Sequence, residues 1–145
     1  MARDTVIGPF DGVYRWLSNF YFAPAAYGFI VYPTSEHAYQ AAKSFDNEVR
    51  VAIALLKTPG EAKRAGRKVV MRPDWEFAKI AVMYEIVKDK FLRNPELAKK
   101  LLKTGDSILM EINDWGDQFW GVSGGRGQNQ LGIVLMRVRK EIRGV

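Results

Sequence analysis

Cysteine is absent from this chain and histidine occurs once. Disulfides, thiol nucleophiles and zinc–thiolate sites are thereby excluded, and a His-rich metal centre cannot be assembled. Long apolar runs are missing as well: hydrophobic stretches are short and broken by charge, so neither a membrane span nor a signal peptide is read in the first thirty residues. The expected compartment is the cytoplasm. Internal repeats, low-complexity tracts and linker-like segments are also lacking, which makes one domain over residues 1–145 the expected organisation. Chemistry must then rest on carboxylates, lysine, hydroxyls, amides or a carboxylate-bound magnesium, and no cofactor or metal site is read.

What is present suits a folded domain with a sizeable core: 145 residues, 48% of them hydrophobic and 12% aromatic. Lysine and arginine number 22 against 16 acids, a formal charge of +6. Such an excess favours an anionic partner, whether a phosphate ester, a nucleotide or nucleic acid.

Along the chain, "TVIGPF", "NFYFAP" and "GFIVYP" alternate with turn residues such as Asp11-Gly12 and predict two or three short strands or extended segments. Helical signals follow Pro33. Thr34 or Ser35 caps a helix running to about Phe45, "EVRVAIALLK" supplies a second, and Pro59 with Glu61 opens a third in "PGEAKRAGR". Pro73, Asp74 and Glu76 start the clearest helix, whose apolar stripe is read as Phe77, Ile80, Tyr84, Val87 and Phe91. Asn94-Pro95 ends it and begins "PELAKKLLK", which stops at Thr104-Gly105. "SILMEI" reads as a strand or short helix, with a hairpin turn expected in "NDWGDQFWGV". A last helix buries Leu131, Leu135, Val138 and Ile142. The predicted class is α+β: a single compact, predominantly helical domain with a small antiparallel β component.

On the helix after Thr34, Glu36, Gln40 and Lys43 share one face, since seven positions at 100° each return almost to the starting direction. Their axial span, roughly 10 Å, lets Glu36 and Lys43 reach one bound substrate without touching each other. A solvated rim on an amphipathic helix explains the same spacing. His37 lies off that stripe and reads as a core or hydrogen-bonding residue, because nothing spaced around it makes a triad. In "GVSGGRGQNQLG", glycines including Gly125 precede a helix N-terminus, a place for phosphate to which Arg126 adds charge; a surface turn is the other reading. Neither the Walker nor the Rossmann glycine spacing is met, Gln130 standing where the third Rossmann glycine belongs. Trp120 can stack on a base or fill a core. The basic run Lys63, Arg64, Arg67 and Lys68, followed by Arg72, can meet phosphates, although Arg64 and Lys68 are read as solvated surface.

Taken in order, "WLSNFY", "YPTSEHAYQAAK", "PGEAKRAGR", "RPDWEFAKIAVM", "KF" with "LLKTGDSILME", "DQFWG" and "GQNQLGIVLMRVR" resemble the NADAR, or YbiA-like, family from about Phe10 to Arg139. The resemblance implies a largely helical domain without cofactor, and an N-glycosidase breaking a ribosyl C1–N bond. Its members cleave phosphorylated ribosylamino-pyrimidine intermediates of riboflavin synthesis or remove ADP-ribose from guanine. The partner implied is therefore a phosphorylated ribosyl or ADP-ribosyl compound, in some cases attached to nucleic acid. Position by position, the resemblance makes Asn19, Glu36, Lys43, Asp117, Trp120 and Asn129 pocket candidates. It gives Lys43 a Schiff base with the opened ribose, Glu36 proton transfer, and Asp117 a part in catalysis left open between stabilising an oxocarbenium-like centre and orienting a hydroxyl. The backbone at residues 124–128, including Gly125, or the side chains of Arg126 or Arg67 would hold phosphate. A Schiff-base lysine must be neutral to attack, which calls for a desolvated or cation-rich surrounding. The competing expectation is a non-catalytic module binding ADP-ribose or NAD through Trp120 and the glycine-rich loop; a third is a basic scaffold.

Overall fold

The computed structural model describes residues 5–144. The chain gathers into two compact units, one formed by residues up to Ser18 with those from Pro95 onward, the other by Asn19–Asn94.

The Asn19–Asn94 unit contains β1 (Ala25–Tyr27), β2 (Ile30–Tyr32), α1 (Ser35–Ala42), α2 (Asn47–Ala54), α3 (Pro59–Gly66) and α4 (Trp75–Arg93). The strands pair antiparallel, Ala25 with Tyr32 and Tyr27 with Ile30. Their two-residue turn puts both Gly28 and Phe29 at positive φ, 57° and 69°, the twist that suits a tight hairpin. Helix α1 is the hub: α2, α3, α4 and both strands pack on it, and all of its residues are buried. Ala38, Ala41 and Ala42 make that possible, because methyl side chains let neighbouring backbones approach closely. Its start is fixed where the sequence places it, with the Thr34 hydroxyl accepting the His37 N–H. Helix α3 opens with Pro59 behind a Thr58–Glu61 capping box.

Helix α4 begins as expected, but its buried face is rotated. Phe77 and Ile80 are 94% and 41% exposed, whereas Trp75, Val82, Met83, Ile86, Val87, Lys90 and Phe91 are buried. Asp74 stands at the N-cap rather than in the first turn, and its carboxylate is held by Arg72 at 2.7 and 2.9 Å. Asp89 ties the same helix to β1 by accepting the Ala26 N–H at 2.7 Å.

In the other unit, β3 (Val6–Ile7) pairs with β4 (Ile108–Leu109). This pairing is parallel, so among the strands named here the expected antiparallel component is β1–β2. A 3₁₀ helix over Gly12–Leu17 takes the place of a simple turn after Asp11. Helices α5 (Pro95–Lys103) and α6 (Gln130–Ile142) pack together, and α6 also lies on β4. Leu131, Leu135 and Val138 are buried as expected, with Ile142 half-buried. The hairpin expected from "NDWGDQFWGV" does not form. Ile112 makes an isolated parallel bridge with Val122, and the two-residue hairpin lies further on, between Ser123 and Arg126. Helix predominance over short strands gives the α+β class the sequence predicts. Among the described residues no helix is long and apolar enough to cross a membrane.

Candidate functional site

The Glu36–Gln40–Lys43 stripe is not a solvated rim. Glu36 and Gln40 are buried, and Lys43, which caps the C-terminal end of α1, is half-buried. The Gln40 amide donates to Glu36 Oε2 at 2.6 Å. The Lys43 ammonium lies 5.8 Å from the centroid of the Tyr39 ring, and Tyr39 itself packs against Trp75 with ring centroids 5.2 Å apart.

Lys43 is held below the ordinary lysine range, first by burial and then by the positive charges of Arg67, Lys63 and Lys79, with Glu36 acting in the opposite direction. Burial strips water from the ammonium, and each neighbouring cation adds repulsion that loss of a proton relieves. Arg67 is exposed, and its effect on Lys43 is electrostatic. Lys63 belongs to the basic run that the sequence offers for phosphate, whereas Lys79 carries no signal of that kind. They reach Lys43 through the packing of α3 and α4 on α1, a tertiary relation that leaves no mark in local spacing. Lys63 also lies 5.9 Å from the ring of Phe20, an aromatic side chain 42% exposed.

Asn19 secures the start of α1. Its carbonyl accepts the Glu36 N–H at 3.0 Å, its Oδ1 accepts the Ser35 hydroxyl at 2.8 Å, and its Nδ2 donates to Met83 Sδ at 3.5 Å. The residue thus sets where Glu36 begins its helix. His37 is fully buried between Thr34 and the Leu56 carbonyl, as a structural histidine would be. Asn19, Glu36, Lys43 and Arg67 accordingly belong to one unit.

Asp117, Trp120, Gly125, Arg126 and Asn129 belong to the other. Asp117 Oδ1 accepts the N–H groups of Phe119 and Trp120 at 3.1 and 2.9 Å, an Asx turn that shapes "DQFWG". Trp120 is half-buried and meets Phe119 edge-on at 4.9 Å. Asn129, in the left-handed region at φ 54°, spans to β4 and its neighbour: Nδ2 donates to the Leu109 carbonyl and Oδ1 accepts the Glu111 N–H, each at 2.9 Å. The N–H groups of Gln130 and Leu131 donate to the Phe119 and Trp120 carbonyls at 3.0 Å each, so two donors expected to be open at the start of α6 are engaged. Gly125 and Arg126 lie instead at the exposed hairpin, where Gly124 and Gly125 take φ values of 63° and 78°.

Known proteins share this architecture. The chain is 35% identical to N-glycosidase YbiA of Escherichia coli (strain K12) over 147 residues, covering 98% of this chain and 91% of that protein. The NMR structure of E. coli YbiA matches with a TM-score of 0.85 at 35% identity, over 97% of this chain and 86% of that one. A riboflavin biosynthesis protein of Vibrio vulnificus (strain YJ016) is 38% identical over 135 residues, covering 91% of this chain; the chain spans only 36% of that longer protein. The NADAR domain matches residues 9–143, which takes in most of both units, and the chain belongs to the NADAR family.

Proposed function

We propose that this chain is an N-glycosidase that hydrolyses a ribosyl C1–N bond in a phosphate-bearing substrate, with Lys43 as nucleophile. One observation carries the reading: a half-buried lysine, pushed toward its neutral form by burial and by Arg67, Lys63 and Lys79, is placed on the same short helix as the buried Glu36 carboxylate. The name N-glycosidase of the YbiA relative supports it.

In the proposed reaction the neutral Lys43 amine attacks ribose C1. The C1–N bond breaks and its electron pair leaves with the base nitrogen, which takes a proton delivered through Glu36. Ring opening transfers the C1–O4 bonding pair to O4, which gains the proton lost from the amine, and leaves a protonated Schiff base on Lys43. Water adds to C1, its proton passing to Glu36, and the amine departs as the aldehyde forms. Base and sugar are the net products of one added water.

The substrate is proposed to be ADP-ribosylated guanine, free or in nucleic acid, or a phosphoribosylamino-pyrimidine on the route to riboflavin. The net charge of +6 supports a phosphate-bearing molecule, with Arg67 as a phosphate contact in the unit that holds Lys43; Arg126, the Gly125 backbone and Trp120 are offered as substrate contacts by the family resemblance alone. Asp117 and Asn129 would shape the loop that carries Trp120, and Asn19 the helix that carries Glu36. The chain would act as one domain, in the cytoplasm, where a protein without cysteine loses nothing to a reducing milieu.

Incubation with an ADP-ribosylated guanine oligonucleotide and with the riboflavin intermediate, followed by mass spectrometry, should release base from at least one of them. Borohydride added during turnover should trap a sugar adduct on the wild type and none on Lys43→Ala. Tight binding of ADP-ribose without base release would instead make the chain a binding module.

A further inference from the structure

Gln40 takes part in no step of the reaction above, yet its placement is unusual. Its side chain is almost wholly buried, its Nε2 donates to Glu36 Oε2 at 2.6 Å, and its Oε1 is buried with no hydrogen-bond partner. A buried carbonyl without a donor is a standing cost to the fold. A leucine would fill a similar volume without it, so what glutamine adds here is the N–H on the carboxylate. The packing partner across the helix interface points the same way. Gly66, the last residue of α3, lies against this amide, and a Cβ at that position would overlap Gln40 Oε1 and Cδ. A larger residue there would displace the amide.

We propose that Gln40 is the positioning residue of Glu36: its amide, given room by Gly66, fixes the orientation of the carboxylate and favours its ionised form. The inference rests on the role given above to Glu36 as proton carrier. A donor aimed at a carboxylate stabilises the charge and leaves the protonated form without an equal gain. Once the base has taken its proton, Glu36 is then held ionised and in a fixed direction, ready to accept the proton of the attacking water.

Other charges also reach this corner. Lys43 ends the same helix, α3 supplies Lys63 and Arg67, and α4 supplies Lys79. From α2, Arg50 donates to the Ser44 carbonyl and lies 5.2 Å from the Tyr27 ring, while Glu48 is exposed. Strands β1 and β2 bring the phenols Tyr27 and Tyr32, the latter pushed up to about 12, mainly by burial. Lys43 interacts with Glu36 whether or not Gln40 is present and favours its ionised form, so removal of the amide should shift the Glu36 titration by about one pH unit rather than several.

The test is a carbon-13 NMR titration of the Glu36 carboxyl in the wild type, Gln40→Leu and Gly66→Ala, with pH–rate profiles for base release measured alongside. Gly66→Ala leaves both side chains chemically intact, suits a helix, and presses first on the Gln40 amide and less closely on its Cβ, so it decides the matter if Gln40→Leu does not fold. An upward shift of about one unit in the Glu36 titration is expected in each variant, with the limb of the pH–rate profile that reports Glu36, separate from the one assigned to the Lys43 amine, moving in parallel. Unchanged titration of Glu36 in the folded variants overturns the proposal. A moved titration with an unmoved rate profile upholds the hold of Gln40 on Glu36 and removes Glu36 from proton transfer instead.

Discussion

The Thr34 hydroxyl stands 2.7 Å from Nδ1 of His37 while accepting that residue's backbone N–H at 3.1 Å. One oxygen thereby caps α1 and holds the His37 ring. The Leu56 carbonyl, 3.0 Å from Nε2, can only accept, so Nε2 carries the proton and Nδ1 receives the hydroxyl. Thr34→Val, which keeps the shape and loses the oxygen, should cost about 1–2 kcal/mol in urea unfolding. His37 is held below 6.5, first by burial, with the Leu56 contact opposing. Its stabilising contribution is therefore present above about pH 6.5 and fades as pH falls and the unfolded chain takes up the proton first. A urea series from pH 7.5 to pH 5 should show this decline in the wild type and a smaller one in His37→Leu.

Lys43 should report its surroundings in the pH dependence of base release. The ascending limb assigned to the neutral amine should lie below 10.5. Arg67→Gln removes one of the cations that depress it and should move that limb upward by about half a unit; Glu36→Gln removes the opposing anion and should move it downward in whatever activity remains. Opposite directions for the two variants are the diagnostic result.

The Asx turn at Asp117 separates architecture from charge. Asp117→Ala removes the oxygen accepting two N–H groups and should destabilise the protein by about 1 kcal/mol. Asp117→Asn keeps an acceptor in the same place and should cost less than about half of that in thermal or urea unfolding. If Asp117→Asn folds normally yet loses base release, its negative charge has a part in the chemistry beyond the turn.

Lys90 presents a different case, a lysine inside the core of its unit. Burial pushes it down to about 7, and its amine lies 5.3 and 5.9 Å from the rings of Phe91 and Tyr21. Because the unfolded chain binds a proton up to about 10.5 and the folded chain only up to about 7, stability should rise as pH increases between those values. Lys90→Met should raise Tm by about 5 °C at pH 7. Its advantage should shrink toward pH 10, as differential scanning calorimetry at the two pH values would show.

These residues also indicate what a sequence can reveal. Thr34, Pro59 and Asn94-Pro95 mark helix boundaries through local chemistry, and the observed α1, α3, α4 and α5 begin or end beside them. The face of α4 was less accessible. Phe77 and Ile80 are as apolar as core residues, and only packing against β1 and α1 decides that Val82, Met83 and Ile86 go inward while Phe77 stays out. A buried Lys90 is invisible to any pattern that counts lysine as polar. The pairing of β3 with β4 joins residues about a hundred positions apart, with no local turn to announce it. At the site, spacing placed Glu36, Gln40 and Lys43 on one face but could not tell a buried face from a wet one. The cations around Lys43 arrive from other helices.

Helix α1 has no solvent-facing side at all. An exposed catalytic glutamate would sample many rotamers and would have to be immobilised each time a ligand arrived, at roughly 0.5–1.5 kcal/mol for a side chain of this kind. With Glu36 already confined by folding, that ordering is completed once, when the protein forms. The corollary is a narrow tolerance to larger side chains along these eight buried residues.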